Sequence, residues 1–324
     1  MILLKKGGII IKFQSFIEPL YPLENFYARV PHTHPQKSYI LSQLNNIKAG
    51  LQGELTVLRF LEEFIFPQNV TILHNYQAKI HSKWFIQIDY MILSRKGILL
   101  IEVKNISGHI RFQHNPAQII RTSLDGLEDG MDCPFIQMDR NAKAIKQIIP
   151  SPTPLPIETC LVWANRKARL SIEKVPHPHS FIPAKALIMY LENYFEKPSI
   201  FSSQQLEQVK KHLMNSRFTS STKSLCDKYK VESTELLKGL YCTNCFASLK
   251  KYVNTWVCPS CKVNAADQVE KNVLSQFSLV NTPIGISIID RNLVYLTKKQ
   301  IRYILKKHSV KMAGEKKSVV YSLN

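Results

Sequence analysis

Three charged residues, Asp89, Glu102 and Lys104, interrupt an otherwise apolar stretch, "IQIDYMILSRKGILLIEVKN" at residues 86–105. Charged side chains are seldom buried without partners, so something must balance them. If the turn "SRKG" is a hairpin loop of two or four residues, Leu93 faces Ile98 and Asp89 lies opposite Glu102. Directly opposed residues have Cβ atoms about 4.5–5.5 Å apart, and like charges there repel unless a cation intervenes. Alternation sets Leu100, Glu102 and Lys104 on one face, with Gln87 opposite Lys104, and Ile101 and Val103 on the other. Hard divalent cations bind carboxylate oxygens and complete their shells with water and substrate phosphate. The chemistry this points to is metal-assisted attack of water on a phosphodiester. The competing reading is the solvated face of an amphipathic sheet, with Lys104 pairing a carboxylate.

The elements that must carry these residues are readable around them. Leu51, Leu55, Leu58, Leu61 and Ile65 recur at threes and fours after Asn45, predicting a helix that breaks at Pro67 and carries a third acid, Glu54. "NVTILHNY", "WFIQIDYMIL" and "GILLIEVKN" read as three strands, and "GHIRFQ" with "AQIIRT" as a hairpin extending their sheet. "PFIQMDRNAKAIKQII" is a helix opened by Pro134 and ended by Pro150. "PSPTPLP" then leads to a strand, "ETCLVWA". The order is helix, three strands, helix, strand.

"GLQGE" (Gly50, Gly53, Glu54), "QID" (87–89), "GILLIEVKNISGHI" (97–110) and "PFIQ" (134–137) follow in that order. Together they resemble the nuclease-related domain, or NERD, family of the PD-(D/E)xK nuclease superfamily. The resemblance implies an α/β, restriction-endonuclease-like core (αβββαβ) and a metal-dependent nuclease. It implies Asp89 and Glu102 as ligands of Mg²⁺ or Mn²⁺, with the Val103 carbonyl as a further ligand. Lys104 would position or activate the attacking water, Glu54 would complete the acidic cluster, and Gln137 would contact substrate or order the site. Two departures are visible: Tyr90 stands where the family often has histidine, and Cys133 where asparagine is common. The rival reading is a non-catalytic nucleic-acid-binding or scaffold protein on a degenerate nuclease fold. A protein-interaction adaptor built on the cysteine module described next is a third.

"CTNC" and "CPSC" place Cys242, Cys245, Cys258 and Cys261 as two C-x-x-C pairs, the spacing of a structural zinc ribbon. Rubredoxin-like iron fits the same spacing. Such a ribbon is open to three roles: contacting DNA, contacting protein, or stapling the C-terminal half. Cys133, Cys160 and Cys226 read as small buried hydrophobes. Residues 291–324 hold nine Lys or Arg against one Glu. There Thr297 caps a predicted helix whose Ile301, Ile304 and Leu305 face inward, leaving Lys298, Lys299, Arg302, Lys306 and Lys307 outside. With a strand "KKSVVYSL" after Gly314, this reads as a winged-helix- or helix-turn-helix-like unit, or as a solvated surface helix.

Over the 324 residues, 43 Lys and Arg against 24 Asp and Glu give a net charge of +19, the balance of a protein that meets polyanions. Nucleic acid leads, DNA before RNA, and an anionic membrane surface comes second. "MILLKKGGIIIKF" is broken by Lys5, Lys6 and Lys12, and no stretch reaches the roughly 18 apolar residues of a membrane span, so a soluble, cytoplasmic protein is expected. The expected domains are an N-terminal arm (1–40), the nuclease-like domain (41–165), a helical extension with a linker "TSSTKS" (166–238), the ribbon (239–265) and the basic C-terminal unit (266–324).

Overall fold

A computed structural model describes residues 2–6, 9–13, 20–123, 125–150, 155–172, 174–218, 223–253, 255–263, 266–280, 283–314 and 319–322. Most of "TSSTKS", the middle of "PSPTPLP" and the beginning of "KKSVVYSL" lie outside the described residues. The chain opens with strands β1 (Ile2–Lys6) and β2 (Ile9–Phe13), then helices α1 (Leu20–Arg29) and α2 (Lys37–Glu63). Next come β3 (Thr71–His81), β4 (Trp84–Ser94), β5 (Gly97–Lys104), β6 (His109–His114), β7 (Ala117–Thr122), β8 (Glu128–Asp132) and helix α3 (Pro134–Ile148). β9 (Ile157–Trp163), β10 (Arg169–Ser171) and β11 (Ser180–Pro183) precede helices α4 (Leu187–Glu196), α5 (Ser203–Asn215) and α6 (Leu225–Tyr229). The last part holds β12 (Lys250–Tyr252), β13 (Thr255–Val257), α7 (Ala266–Leu279), β14 (Ile284–Gly285), α8 (Ile286–Leu293), α9 (Lys298–Lys307), β15 (Lys311–Ala313) and β16 (Val320–Ser322). Among the described residues no helix is long and apolar enough to cross a membrane.

Contacts divide the chain into a first unit, Met1–Phe16 with Ala49–Ser220, and a second, Ile17–Lys48 with Ser221–Asn324. The first is built on a seven-stranded sheet in the order β1-β2-β3-β4-β5-β9-β11, antiparallel across β3, β4 and β5 and parallel from β5 through β9 to β11. Strand alternation sorts its core into two layers. Ile72, Tyr90, Ile92, Leu99 and Ile101 pack with Val57 and Leu61 of α2 and Leu187 and Leu191 of α4. Leu73, Met91, Leu93, Ile98 and Leu100 pack with Ala144 and Ile145 of α3 and Leu206, Val209 and Leu213 of α5. The hairpin has the expected register, Leu93 opposite Ile98.

Three local expectations need correction. β6 and β7 pair, but they do not extend the main sheet; they join a separate one, β10-β6-β7-β8. Their Ile110, Phe112 and Ile119 have an apolar surface to cover, formed by Phe135, Met138 and Trp163. Helix α2 begins at Lys37 rather than near Asn45, and Ile65 lies beyond its end, 92% exposed. The buried face here runs through Val57 and Leu61, because Gly53 meets β5: a Cβ on it would stand 2.6 Å from Asn105 Cβ. Between 166 and 238, α4 and α5 appear as expected, but β10 and β11, at three and four residues, are too short to reveal a period.

The second unit takes in α1, from the segment expected as an N-terminal arm. Leu23, Phe26 and Val30 cluster with Ile40 and Leu44 and with Cys226, Tyr229 and Leu279. Partners some 200 residues away made this pattern unreadable locally. Lys37 Nζ donates to the carbonyls of Tyr27 (2.5 Å) and Val30 (2.7 Å), satisfying carbonyls at the end of α1. Ribbon and C-terminal helices share one core, in which Leu240, Cys242, Leu249 and Cys258 pack with Ile284, Ile289, Leu293, Ile301, Leu305 and Tyr321. From α7 onward the order is helix, strand, two helices, two strands, with the sheet ordered β14-β16-β15. Thr297 caps α9 as expected: its Oγ1 accepts from Gln300 N (3.3 Å), and Gln300 Oε1 accepts from Thr297 N (2.9 Å).

Arg29 is a fully buried cation of this unit. It donates to Asn25 Oδ1 (2.8 Å), Asn272 Oδ1 (3.2 Å) and the carbonyls of Gly239 (2.6 Å), Leu237 (3.1 Å) and Asn292 (3.3 Å), and burial lowers its pKa to about 10. Every acceptor is neutral, so the guanidinium is solvated by fixed dipoles rather than paired. Arg29→Met leaves several buried acceptors without a donor, each costing about 1–3 kcal/mol. Urea unfolding followed by Trp256 fluorescence is expected to show a loss of about 3 kcal/mol or more. A loss under about 1 kcal/mol would mean that the network does not hold the unit together.

Candidate active site and metal centre

The β4–β5 ladder closes with Tyr90 opposite Ile101. One residue further the Val103 amide donates to Asp89 Oδ2 at 2.8 Å, so a side chain takes up the peptide group. β5 continues against β9, pairing Glu102 with Leu161, Val103 with Val162 and Lys104 with Trp163. The site residues of β5 therefore stay on a rigid strand after their hairpin partner has ended.

Glu102, 4% exposed, is held from two sides. Lys104 Nζ donates to Glu102 Oε1 (2.6 Å) and to Gln137 Oε1 (3.2 Å), while Gln137 Nε2 donates to Glu102 Oε2 (3.0 Å). The three side chains form a closed ring. Gln137 sits in the first turn of α3, where Pro134 starts the helix and Phe135 is buried in the cluster beneath β6 and β7. Cys133 is the N-cap and makes no side-chain cap bond, so an asparagine's capping contribution is missing while the helix start is kept by proline and packing.

Glu54 arrives from the α2 layer. Its Oε2 lies 2.7 Å from His74 Nε2, and its backbone carbonyl accepts from the Tyr90 hydroxyl (2.9 Å). His74 and Tyr90 are paired across β3 and β4. The sequence reading missed His74; its only signal is a histidine within the apolar "NVTILHNY" strand. Tyr90, noted there as a departure from histidine, anchors the helix bearing Glu54.

Desolvation, then Glu102, then Glu54 push the Asp89 carboxyl well above its usual range, against the Val103 amide and Lys104. Glu102 is also raised, first by desolvation, with Lys104 and Gln137 opposing. All five expected residues thus fall in one region, with Glu102, Lys104 and Gln137 in direct contact, Asp89 on Val103 and Glu54 on His74. Among the described residues, only the cysteine cluster brings three or more His, Cys, Asp or Glu ligand atoms within 4.8 Å of one another. The acids interact electrostatically without closing into so tight a shell. Beside Gln137 opens a cavity of about 130 Å³ lined by Trp84, Phe85, Ile86, Gln87, Arg140 and Asn141. Arg140, exposed one helical turn beyond Gln137, is a further cation at this rim.

In the second unit the sulfurs of Cys242 and Cys261 are 3.6 Å apart and those of Cys245 and Cys258 3.3 Å apart. A tetrahedron with metal–sulfur bonds of about 2.3 Å has edges of about 3.8 Å, so the cluster is sized for one ion. Burial pushes the Cys242 thiol up to about 12, whereas the Val263 amide helps bring Cys261 down to about 6. Cys133, Cys160 and Cys226 are buried, as expected.

A mixed α/β unit with two carboxylates and a lysine at the ends of adjacent central strands, and a glutamine from the helix that follows, is consistent with a nuclease-like core. Residues 49–164 match the family model described as NERD, nuclease-related domain. The matched segment runs from within α2 to the residue after β9 and includes Glu54, Asp89, Glu102, Val103, Lys104 and Gln137. None of the curated proteins or solved structures compared with the chain matches it.

The raised Asp89 carboxyl sets a pH dependence. Between an unfolded value of about 3.9 and the higher folded value, the folded state binds more protons, so metal-free stability falls as pH rises through that window. Asp89→Asn is expected to raise the melting temperature of metal-free protein by a few degrees at neutral pH, and by little near pH 4. A variant no more stable than its parent at neutral pH would refute this charge strain.

Proposed function

We propose that residues 49–164 form a metal-dependent nuclease that hydrolyses phosphodiester bonds, in DNA ahead of RNA. The observation that carries this reading is the ring of Glu102, Lys104 and Gln137 beside Asp89, inside the segment matching the nuclease-related domain. The oxygen donors of Asp89 and Glu102, with the Val103 carbonyl, suit Mg²⁺ or Mn²⁺, and the rise of both carboxyl pKa values, by burial first and then by neighbouring acids, marks a shortage of positive charge that such an ion would fill. Bound there, the ion would supply Lewis-acid activation of water and stabilisation of phosphate charge. Lys104, oriented by Glu102 and Gln137, positions the attacking water and offsets charge on the phosphate. Glu54, held by His74, adds to the acidic field, and Arg140 meets a phosphate at the rim.

The test is incubation with supercoiled, linear and single-stranded DNA, and with RNA, in Mg²⁺ or Mn²⁺. Lys104→Ala and Asp89→Ala are expected to lower cleavage by about 10² or more, and Gln137→Ala by about tenfold. Binding without cleavage in either metal would transfer the reading to a non-catalytic nucleic-acid-binding platform. The internal pairing of Glu102 and Glu54 is what favours that second reading.

We assign zinc to the four cysteines as a structural ion, and a winged-helix arrangement to α7 through β16. Cys242 and Cys258 lie in the same core as Ile301 and Leu305, so the ion supports the C-terminal helices as well as the ribbon. Metal removal, or Cys258→Ser, is expected to lower the unfolding midpoint read by Trp256 and to abolish stoichiometric zinc detected by a chromophoric chelator. An unchanged midpoint after metal removal would rule out the structural role.

A further inference from the structure

We infer that α9 is a duplex-DNA docking helix, a second nucleic-acid site separate from the carboxylate site and independent of whether that site cuts. The argument begins with how the cations of α9 are used. Lys307 pairs with Glu270 of α7 (2.5 Å), which also takes His308 (2.8 Å), and Lys298 lies 3.8 Å from Asp290 of α8. These contacts tie the two ends of α9 to its neighbours. Among the described residues, no ion pair engages Lys299, Arg302 or Lys306, and all three are exposed.

Those three residues and Tyr303, 70% exposed, stand at i, i+3, i+4 and i+7, which is one stripe along a helix. The opposite face, Ile301, Ile304 and Leu305, is buried in the core of the unit. The helix is therefore fixed about its axis, with cations and one tyrosine presented outward. It is the second of two consecutive helices, α8 and α9, and is followed by the β15–β16 hairpin, the position of the groove-reading helix in helix-turn-helix units.

The stripe fits B-form DNA better than other polyanions. The DNA major groove is about 12 Å wide and admits an α-helix, whereas the deep, narrow major groove of A-form RNA does not. Single strands are held by successive aromatic platforms, and this face offers only Tyr303. Lys299 and Lys306 are placed to contact phosphates on the groove walls, with Arg302 and Tyr303 between them facing the bases.

The experiment uses the full-length chain with Asp89→Asn, so that DNA is not consumed, and fluorescence anisotropy. Its probes are a labelled DNA duplex two helical turns long, one of its strands and the RNA duplex of the same sequence. Combined Lys299→Ala, Arg302→Ala and Lys306→Ala substitution is expected to weaken DNA-duplex binding at least tenfold. It should also flatten the slope of log affinity against log salt by about 1.8, at about 0.9 for each of the phosphate contacts of Lys299 and Lys306. Single-strand and RNA binding should change much less. The charge-matched control replaces the exposed Lys223, Lys228 and Lys238 with alanine and should leave duplex binding nearly unchanged. Arg302→Glu alone, at an exposed position, carries the test if the triple variant loses its Trp256 unfolding transition. The inference is overturned if duplex affinity and slope survive, if the control loses as much, or if single-strand and RNA binding fall equally, the last pointing to non-specific polyanion or acidic-protein attraction.

Discussion

Three carboxylates held within electrostatic reach of one another, at the end of a buried hairpin, repel and lose hydration together. The first unit is organised around offsetting that cost. Each acid has its own hydrogen-bonding counter-group: Asp89 the amide of Val103, Glu102 the ring with Lys104 and Gln137, and Glu54 the imidazole of His74. The parallel pairing of β5 with β9 keeps Val103 and Lys104 in place beyond the hairpin ladder. The second sheet fixes Phe135, and hence the turn bearing Gln137, while Gly53 allows α2 to come close enough to present Glu54. Removing any of these supports would leave a carboxylate desolvated without its counter-group, the expensive outcome in a low-dielectric interior.

The second unit solves the converse problem. Its most deeply buried charge among the described residues is a guanidinium, and no carboxylate approaches it among its hydrogen-bond partners; five neutral acceptors from α1, α7, α8 and the segment at 237–239 do the solvating. Such a cage has strict geometric demands, because each missing acceptor exposes part of the desolvation penalty. It joins residues near 29 to residues near 240, 272 and 292, and the ribbon cysteines contribute to the adjoining core. Ribbon and helices therefore share packing rather than forming successive beads.

What could be read from the sequence follows from the range of the interactions. The β4–β5 register was readable because the short "SRKG" turn and period-two alternation are local, and the cap at Thr297 because its partner is three residues away. The two C-x-x-C pairs likewise announce themselves by spacing. By contrast, α1 looks irregular because its apolar residues are matched by Tyr229 and Leu279. The extent of α2 was misjudged at Ile65 because the helix stops at Glu63, two residues before it and short of Pro67. His74 and Arg140 carry no motif; only packing of β3 beside α2, and of α3 beside the start of β4, gives them a place near the acids.

Net charge says that the chain attracts polyanions but not where. At the nuclease-like site the answer is unfavourable: with Glu54, Asp89 and Glu102 against Lys104, a bare site repels the phosphate it would act on. Affinity and chemistry are then best served by different surfaces, one acidic and dependent on a bound cation, the other cationic without it. Pairing decides which lysines can serve. Lys104 is taken by Glu102, and Lys307 by Glu270, so each neutralises a neighbour within its own unit. On α9 the acids of α7 and α8 take the ends of the helix and leave Lys299, Arg302 and Lys306 on its outer face, where a polyanion becomes their counter-charge.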